Sequence, residues 1–127
     1  SAVLQWNQGE YFRRRGGMLA WAFVDYMLVA DRYDCAGDHA GGWETSRLMA
    51  LHPGRVDLSA LPPKGQKPVG AGGRMDPRDA SADFGREVLE AVTEVAVAEV
   101  LHRLEHRDLY RSHGRSLSEG LWRREES

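Results

Sequence analysis

The densest concentration of reactive side chains is one short stretch, Gly37-Asp38-His39-Ala40-Gly41-Gly42-Trp43-Glu44-Thr45-Ser46. An imidazole and a carboxylate flank a glycine turn at the expected start of a helix. Small residues let a backbone approach a ligand closely, and a helix N-terminus offers a positive end to an anionic intermediate. His39 could act as a proton shuttle near neutral pH, with Asp38 or Asp34 placed to fix its tautomer. Glu44 could bind a divalent metal or accept a hydrogen bond from one of its ligands. The plainer role for an acid in a first helical turn is compensation of the helix dipole.

Other candidates are thinner. Cys35 and His39 have the residue types of a thiolate–imidazole pair or half a zinc site, yet one Cys and one nearby His complete neither. His102 and His106 lie at i and i+4, a spacing able to bind metal, without the Glu directly after the first His that a His-Glu-x-x-His site carries. His52, just before Pro53, is read as bonding the end of its own helix. Trp6, Trp21 and Trp43 are read as core or pocket walls, Trp43 standing nearest the chemistry. Gly70-Ala71-Gly72-Gly73 is not a phosphate loop, because no Gly-Lys-Ser/Thr follows it.

The elements that must position these residues follow from periodicity and punctuation. Ser1 to Arg15 reads as a helix closed by Gly16-Gly17, with Arg13-Arg14-Arg15 at its negative end. Met18 to Val24 is an apolar run without alternation, the pattern of a strand covered on both faces, as in a parallel sheet. Helix, turn and buried strand make an α/β unit. The polar, glycine-containing stretch from Asp31 to Gly42 is a loop soon after that strand, where open α/β sheets put their chemistry. A short helix runs from Trp43 to Leu51, with Leu48, Met49 and Leu51 inward, and Pro53-Gly54 ends it. Asp57 to Asp79, punctuated by Pro62, Pro63, Pro68 and Pro77, is a long excursion with little core of its own, the style of a lid or interface arm. A helix from Ser81 or Asp83 to His106 carries a wide apolar arc of Val88, Leu89, Val92, Val95, Ala96, Val100, Leu101 and Leu104. The charged tail from Arg107 to Ser127 reads as an arm able to dock on a neighbouring subunit.

Composition bounds the rest. A chain of 127 residues, 42% apolar and 28% charged, is one modest globular domain rather than a large enzyme. Seventeen Lys+Arg against nineteen Asp+Glu leave a net charge of -2 and no basic field to draw nucleic acid. The longest apolar stretch reaches about 13 residues, short of the ~20 that span a bilayer, so no membrane partner is expected. The N-terminus lacks the basic-then-apolar pattern of a signal peptide, and a lone Cys35 fits a cytoplasmic home.

Asp38 to Ser46, followed by Leu48-Met49-Ala50-Leu51-His52-Pro53 and Val56-Asp57, resembles the creatininase (creatinine amidohydrolase) family. The carrying block is a His-Ala-Gly-x-x-Glu-Thr-Ser stretch leading into a helix, and the likeness extends over Ser1 to His106. The resemblance implies a three-layer α/β/α domain with a mostly parallel sheet, of which residues 1–106 are the C-terminal half and 107–127 an appended tail. It implies a metal-dependent hydrolase of an amide or related C–N bond in a small molecule, using Zn, Mn or Fe. His39 then corresponds to a histidine that contacts substrate and shuttles a proton, and Glu44 to an acid at the edge of the metal site. Asp38 is carried over beside His39, and Trp43 as a wall of the substrate pocket, with Trp21 a second ring on which a substrate could stack.

The family's Glu-x-His segment, downstream Asp and Gly-His-Gly-Gly-Asn-like motif do not occur here. The helix from Ala2 to Phe12 resembles the one that follows the last of these motifs, and the opening Ser1 in place of Met fits a chain that begins inside a larger domain. The expectation is therefore a half-subunit whose N-terminal complement, a separate chain, supplies most metal ligands. Folding is expected to need that complement, and the assembled unit to form homo-oligomers. Two other readings stand beside it: a hydrolase or lyase of an oxidised sugar or cyclitol, and a non-catalytic scaffolding subunit.

Overall fold

The computed structural model describes residues 21–106. The helix expected over Ser1–Arg15, its Gly16-Gly17 end, the first three residues of the apolar run and the tail from Arg107 lie outside the described residues. Within them are two α-helices, α1 (Gly42–Leu51) and α2 (Ala82–Glu105). Single 3-10 turns at Asp25–Leu28, Leu58–Ala60 and Pro77–Asp79 punctuate the connecting chain. Val24–Val97 form one compact unit; Trp21–Phe23 and the part of α2 from Ala98 onward belong to a second.

The α/β/α architecture with a mostly parallel sheet is not found. Among the described residues the only strand-like pairing is an isolated antiparallel bridge between His39 and Gly72. Residues 21–24 take no regular structure before the chain enters its first 3-10 turn. An unbroken apolar run does not distinguish a buried strand from other buried or extended chain. A strand also needs a second strand for its N–H and C=O groups, and the described residues hold none. The apolar residues are divided instead: Leu28 and Val29 enter the core, whereas Phe23 and Val24 stay exposed.

The core of the Val24–Val97 unit is built where α1 crosses α2. Trp43, Val29 and Val88 are fully buried, joined by Leu28, Ala80 and Ala91. Tyr33, Trp43 and Phe84 meet edge to face with centroids 5.7, 5.9 and 6.2 Å apart, inside the range in which aromatic pairs attract. The Tyr33 hydroxyl donates to Glu87 at 3.0 Å, tying the loop before α1 to α2. Burial, then that hydrogen bond to Glu87, raises the Tyr33 pKa above its ordinary value.

α1 turns small residues, not its leucines, toward α2. Leu48 and Leu51 are exposed, contrary to the inward placement read from their apolar character, while Gly42, Trp43 and Ser46 are buried. The reason is how closely the helices approach. A Cβ built on Gly85 would lie 2.0 Å from the Ser46 carbonyl oxygen and 3.0 Å from the Ala50 methyl. The buried Ser46 hydroxyl donates to the Gly42 carbonyl at 2.6 Å and accepts the Ser81 N–H at 3.1 Å. Ser81 in turn caps α2, its Oγ accepting the Phe84 N–H at 3.2 Å.

The Pro/Gly-rich stretch from Asp57 to Asp79 is held largely by one side chain. The Arg78 guanidinium donates to both Asp76 oxygens at 3.0 and 2.8 Å, and to the Pro62 and Gln66 carbonyls at 2.6 and 3.1 Å. Five donors in a fixed fork suit a task that a hydrophobic core would otherwise perform. In the second unit, Trp21 stacks on Phe23 at 4.4 Å and carries the Arg103 guanidinium 4.7 Å from its ring centre. Arg103 also pairs with the buried Glu99 at 2.8 Å.

Two outcomes follow. Replacing Gly85 by Ala gains about 1 kcal/mol in helix propensity, but overpacking against backbone costs ~1–3 kcal/mol. We expect a net fall in melting temperature; a rise would mean that the helices do not cross at Gly85. The Asp76 carboxyl is held below its ordinary 3.8, first by the Arg78 backbone N–H and then by the Arg78 charge. A depressed carboxylate contributes fully above its unfolded pKa and loses that contribution as pH falls through the lower folded value. Exchange at the Arg78 amide, corrected for its intrinsic rate, should therefore stay slow from neutrality down to about pH 4 and accelerate below it.

Candidate functional site

The bend from Asp34 to Glu44 is fixed from several sides. The His39 N–H donates to the Gly72 carbonyl and the Gly72 N–H donates back to the His39 carbonyl, each at 2.8 Å. The Gly42 N–H donates to the Met75 carbonyl at 2.9 Å, and the Arg74 guanidinium donates to the Asp34 carbonyl at 2.9 Å. Residues 72–75 therefore grip the bend, so this part of the excursion read as a lid or arm serves as a strap. No side chain of Gly72 to Met75 signals this grip; the glycine cluster Gly70 to Gly73 is the sequence feature nearest to it, and it lacks the pattern of a phosphate loop.

Asp38 sits at the centre of the bend. Its two carboxylate oxygens accept the Trp43 and Glu44 N–H groups at 2.7 and 3.0 Å, satisfying two of the donors that α1 would otherwise leave open. The glycines around it are a consequence. A Cβ on Gly41 would lie 2.3 Å from Asp38 Oδ2, and one on Gly73, whose φ is +148°, would lie 2.3 Å from the Asp38 Cβ. The positive end of α1 is thus occupied by the chain's own carboxylate, and the anion-binding use anticipated for it is taken up internally. Nor does Asp38 set the His39 tautomer, since its hydrogen bonds run to α1.

Glu44, at the third position of α1, turns back and accepts the Ala40 N–H on Oε2 at 2.8 Å, a variant of the capping box. Ala40 has φ +51°, left-handed and uncommon for a residue with a Cβ. That places the Glu44 carboxylate against the residue that follows His39. Both side chains are exposed, and no hydrogen bond joins the His39 imidazole to another described residue. The structure therefore brings His39, Asp38 and Glu44 onto one bend and assigns backbone duties to the two acids.

The two tryptophans are placed differently. Trp43 is 1% exposed, enclosed by Tyr33, Phe84 and the Arg47 guanidinium 5.8 Å above its ring. Arg47 is itself held by Asp25 at 2.6 Å. Trp43 thereby anchors the first turn of α1 and has no free face for stacking. Trp21 belongs to the second unit, where Phe23 and Arg103 take up its ring. Burial, then the charges of Asp34 and Asp38, push the Cys35 thiol up, the wrong direction for a nucleophilic thiolate.

Among the described residues no three His, Cys, Asp or Glu side chains converge as a metal-binding group. The donors left on the bend include the His39 imidazole, the second oxygen of Glu44 and the Asp34 carboxylate, and the described residues do not gather them into a closed four-ligand site. Within the described residues no helix is long and apolar enough to cross a membrane. No protein-family model matches the chain, and no curated protein or solved structure matches it.

The capping role of Asp38 carries a graded expectation. Asp38→Ala removes both acceptors and should cost ~1–2 kcal/mol, as losing a helix cap does. Asp38→Asn keeps one acceptor and should fall between. Amide exchange at Trp43 and Glu44 should accelerate in the same order; equal exchange in all three proteins would refute the cap.

Proposed function

We propose that this chain supplies the proton-transferring wall of a metal-dependent hydrolase acting on an amide or related C–N bond of a small molecule. The observation that carries the reading is the hydrogen bond from the Ala40 N–H to Glu44, which holds a carboxylate against the residue that follows the exposed His39 on a braced bend. Its sequence, His39-Ala40-Gly41-Gly42-Trp43-Glu44-Thr45-Ser46, is the block that resembles the creatininase family.

In this reading Glu44 holds one edge of the metal centre with the oxygen that Ala40 does not use, and a complementary polypeptide provides the other ligands. A divalent Zn, Mn or Fe ion so held would supply a hydroxide nucleophile near neutral pH and polarise the scissile carbonyl. His39 donates a proton from its exposed imidazole to the departing nitrogen. The bridge to Gly72 keeps the His39 backbone from drifting, which matters because small misplacement of a reacting group costs rate steeply. Asp38 acts through the bend, by fixing the start of α1. A lone Cys35, with no second cysteine in the sequence to pair with, accords with a reducing, cytoplasmic setting, and the assembled unit is proposed to be a homo-oligomer.

A second reading has an observation of its own. Both acids of the motif are engaged by backbone amides, a duty they would perform in a scaffolding subunit with no chemistry. One experiment separates the two. The chain is purified with whatever polypeptide accompanies it, its divalent metal content is measured, and amide hydrolysis is assayed. The hydrolase reading expects about one or two ions per site and turnover that a chelator removes. His39→Ala should lower kcat by 100-fold or more, on the order that general acid–base groups contribute, with assembly intact. A metal-free complex whose activity ignores both chelator and His39→Ala would establish the scaffold.

A further inference from the structure

We propose that Arg78 is a positioning residue for His39: its guanidinium latches the excursion shut, and the latch and the His39 bend open together. Arg78 makes no hydrogen bond to the bend itself, so the link runs through Asp76. The Asp76 carboxylate takes the guanidinium on both oxygens and the Arg78 N–H on one, at 2.8 Å. The Asp76 carbonyl backs onto the bend, where its oxygen would lie 2.9 Å from a Cβ built on Gly42. The strap runs directly into this residue: Gly72 pairs with His39, Arg74 donates to the Asp34 carbonyl and Met75 accepts the Gly42 N–H.

The same guanidinium reaches the other end of the excursion. It donates to the Pro62 and Gln66 carbonyls at 2.6 and 3.1 Å, closing the chain between Pro62 and Asp76 into a loop. Little else packs on that loop. Lys64 to Lys67 are exposed, Val69 is fully exposed, and nothing lies within 4 Å of a Cβ built on Gly65 or Gly70. The Arg78 side chain is only 18% exposed, so its charge-assisted bonds are better shielded than those of a surface pair. Without the guanidinium the loop regains its chain entropy, and the strap meets the bend as the edge of an untied segment. A lysine cannot replace it, because one ammonium has no planar fork to span a carboxylate and two carbonyls at once. The inference concerns the main chain of the bend and holds whether that bend serves a hydrolase or a scaffold.

The test is amide hydrogen exchange of the full chain at neutral pH, resolved by residue and corrected for intrinsic rates. The His39 and Gly72 amides, each bonded to the other's carbonyl, should exchange about tenfold or more faster in Arg78→Ala, the scale on which charged hydrogen bonds contribute. The Val88 and Ala91 amides within α2 should keep their native exchange. Arg78→Lys, which retains the charge without the fork, should accelerate His39 and Gly72 as well. Native exchange at His39 and Gly72 in either variant overturns the proposal. So does acceleration of Val88 and Ala91 by the same factor, which would make the loss a general one.

Discussion

The convergence of two α1 amides on the Asp38 carboxylate is the constraint from which the rest of the site follows. A helix begins with donors that have no partner inside it, and here a side chain from four residues before the helix reaches in to satisfy them. To do so the chain must fold back sharply between Asp38 and Gly42. The positive φ of Ala40 and the absence of a Cβ at Gly41 are what that reversal demands. The carboxylate then fills the space in front of the helix, so a second strand of chain can lie against it only where it too lacks a side chain. Gly73 meets that condition, and its neighbour Gly72 completes the bridge to His39.

The same economy governs the helix crossing. Gly85 lets the two backbones approach where an ordinary side chain would hold them apart, and Ser46 turns the close approach into hydrogen bonds rather than apolar contact, while Gly42 makes the same room against Met75 and Asp76. Because small residues occupy the interface, larger apolar ones have no place in it. Leu48 and Leu51 on α1, and Val97 on α2, remain at the surface. Burial at this crossing is concentrated in Trp43 and its two aromatic neighbours instead. The Trp43 indole N–H is buried without a partner, a cost that the packing of the ring must exceed.

Much of this order was legible in the residues and some was not. The bounds of α1 and α2 were close to plain, since caps and glycine or proline stops are local signals: Ser81 before α2 and Pro53 after α1 mark them directly. The side on which each helix is buried was not plain for α1, because hydropathy favours Leu48 and Leu51 while the geometry of the crossing favours Ser46 and Ala50. The sheet failed for a related reason. Met18 to Val24 has the composition of a buried strand, but pairing is a property of two segments, and one segment cannot disclose that its partner is missing from the described chain. The grip of residues 72–75 on the bend was hidden for the same cause, a backbone pairing between positions more than thirty residues apart with no side-chain signature. Asp38, His39 and Glu44 were recognisable as a cluster by proximity in sequence; that the two acids serve backbone amides required coordinates.

What distinguishes His39 is the duty it lacks. In the block from Asp38 to Ser46, Asp38 caps α1, Ala40 donates to Glu44, Gly41 and Gly42 make room, Trp43 fills the core and Ser46 links the helices. The backbone of His39 is occupied on both its N–H and its C=O, yet its ring makes no hydrogen bond to that machinery. A fold that needed only the bridge to Gly72 could use almost any side chain at this position, since the bridge is made by the main chain alone. Holding an imidazole by its backbone without a hydrogen bond to its ring, while the Glu44 carboxylate is bonded to the N–H of the next residue, is an arrangement whose local stability needs are met without the ring. The ring is then the part of the bend free to meet something that the described chain does not itself contain.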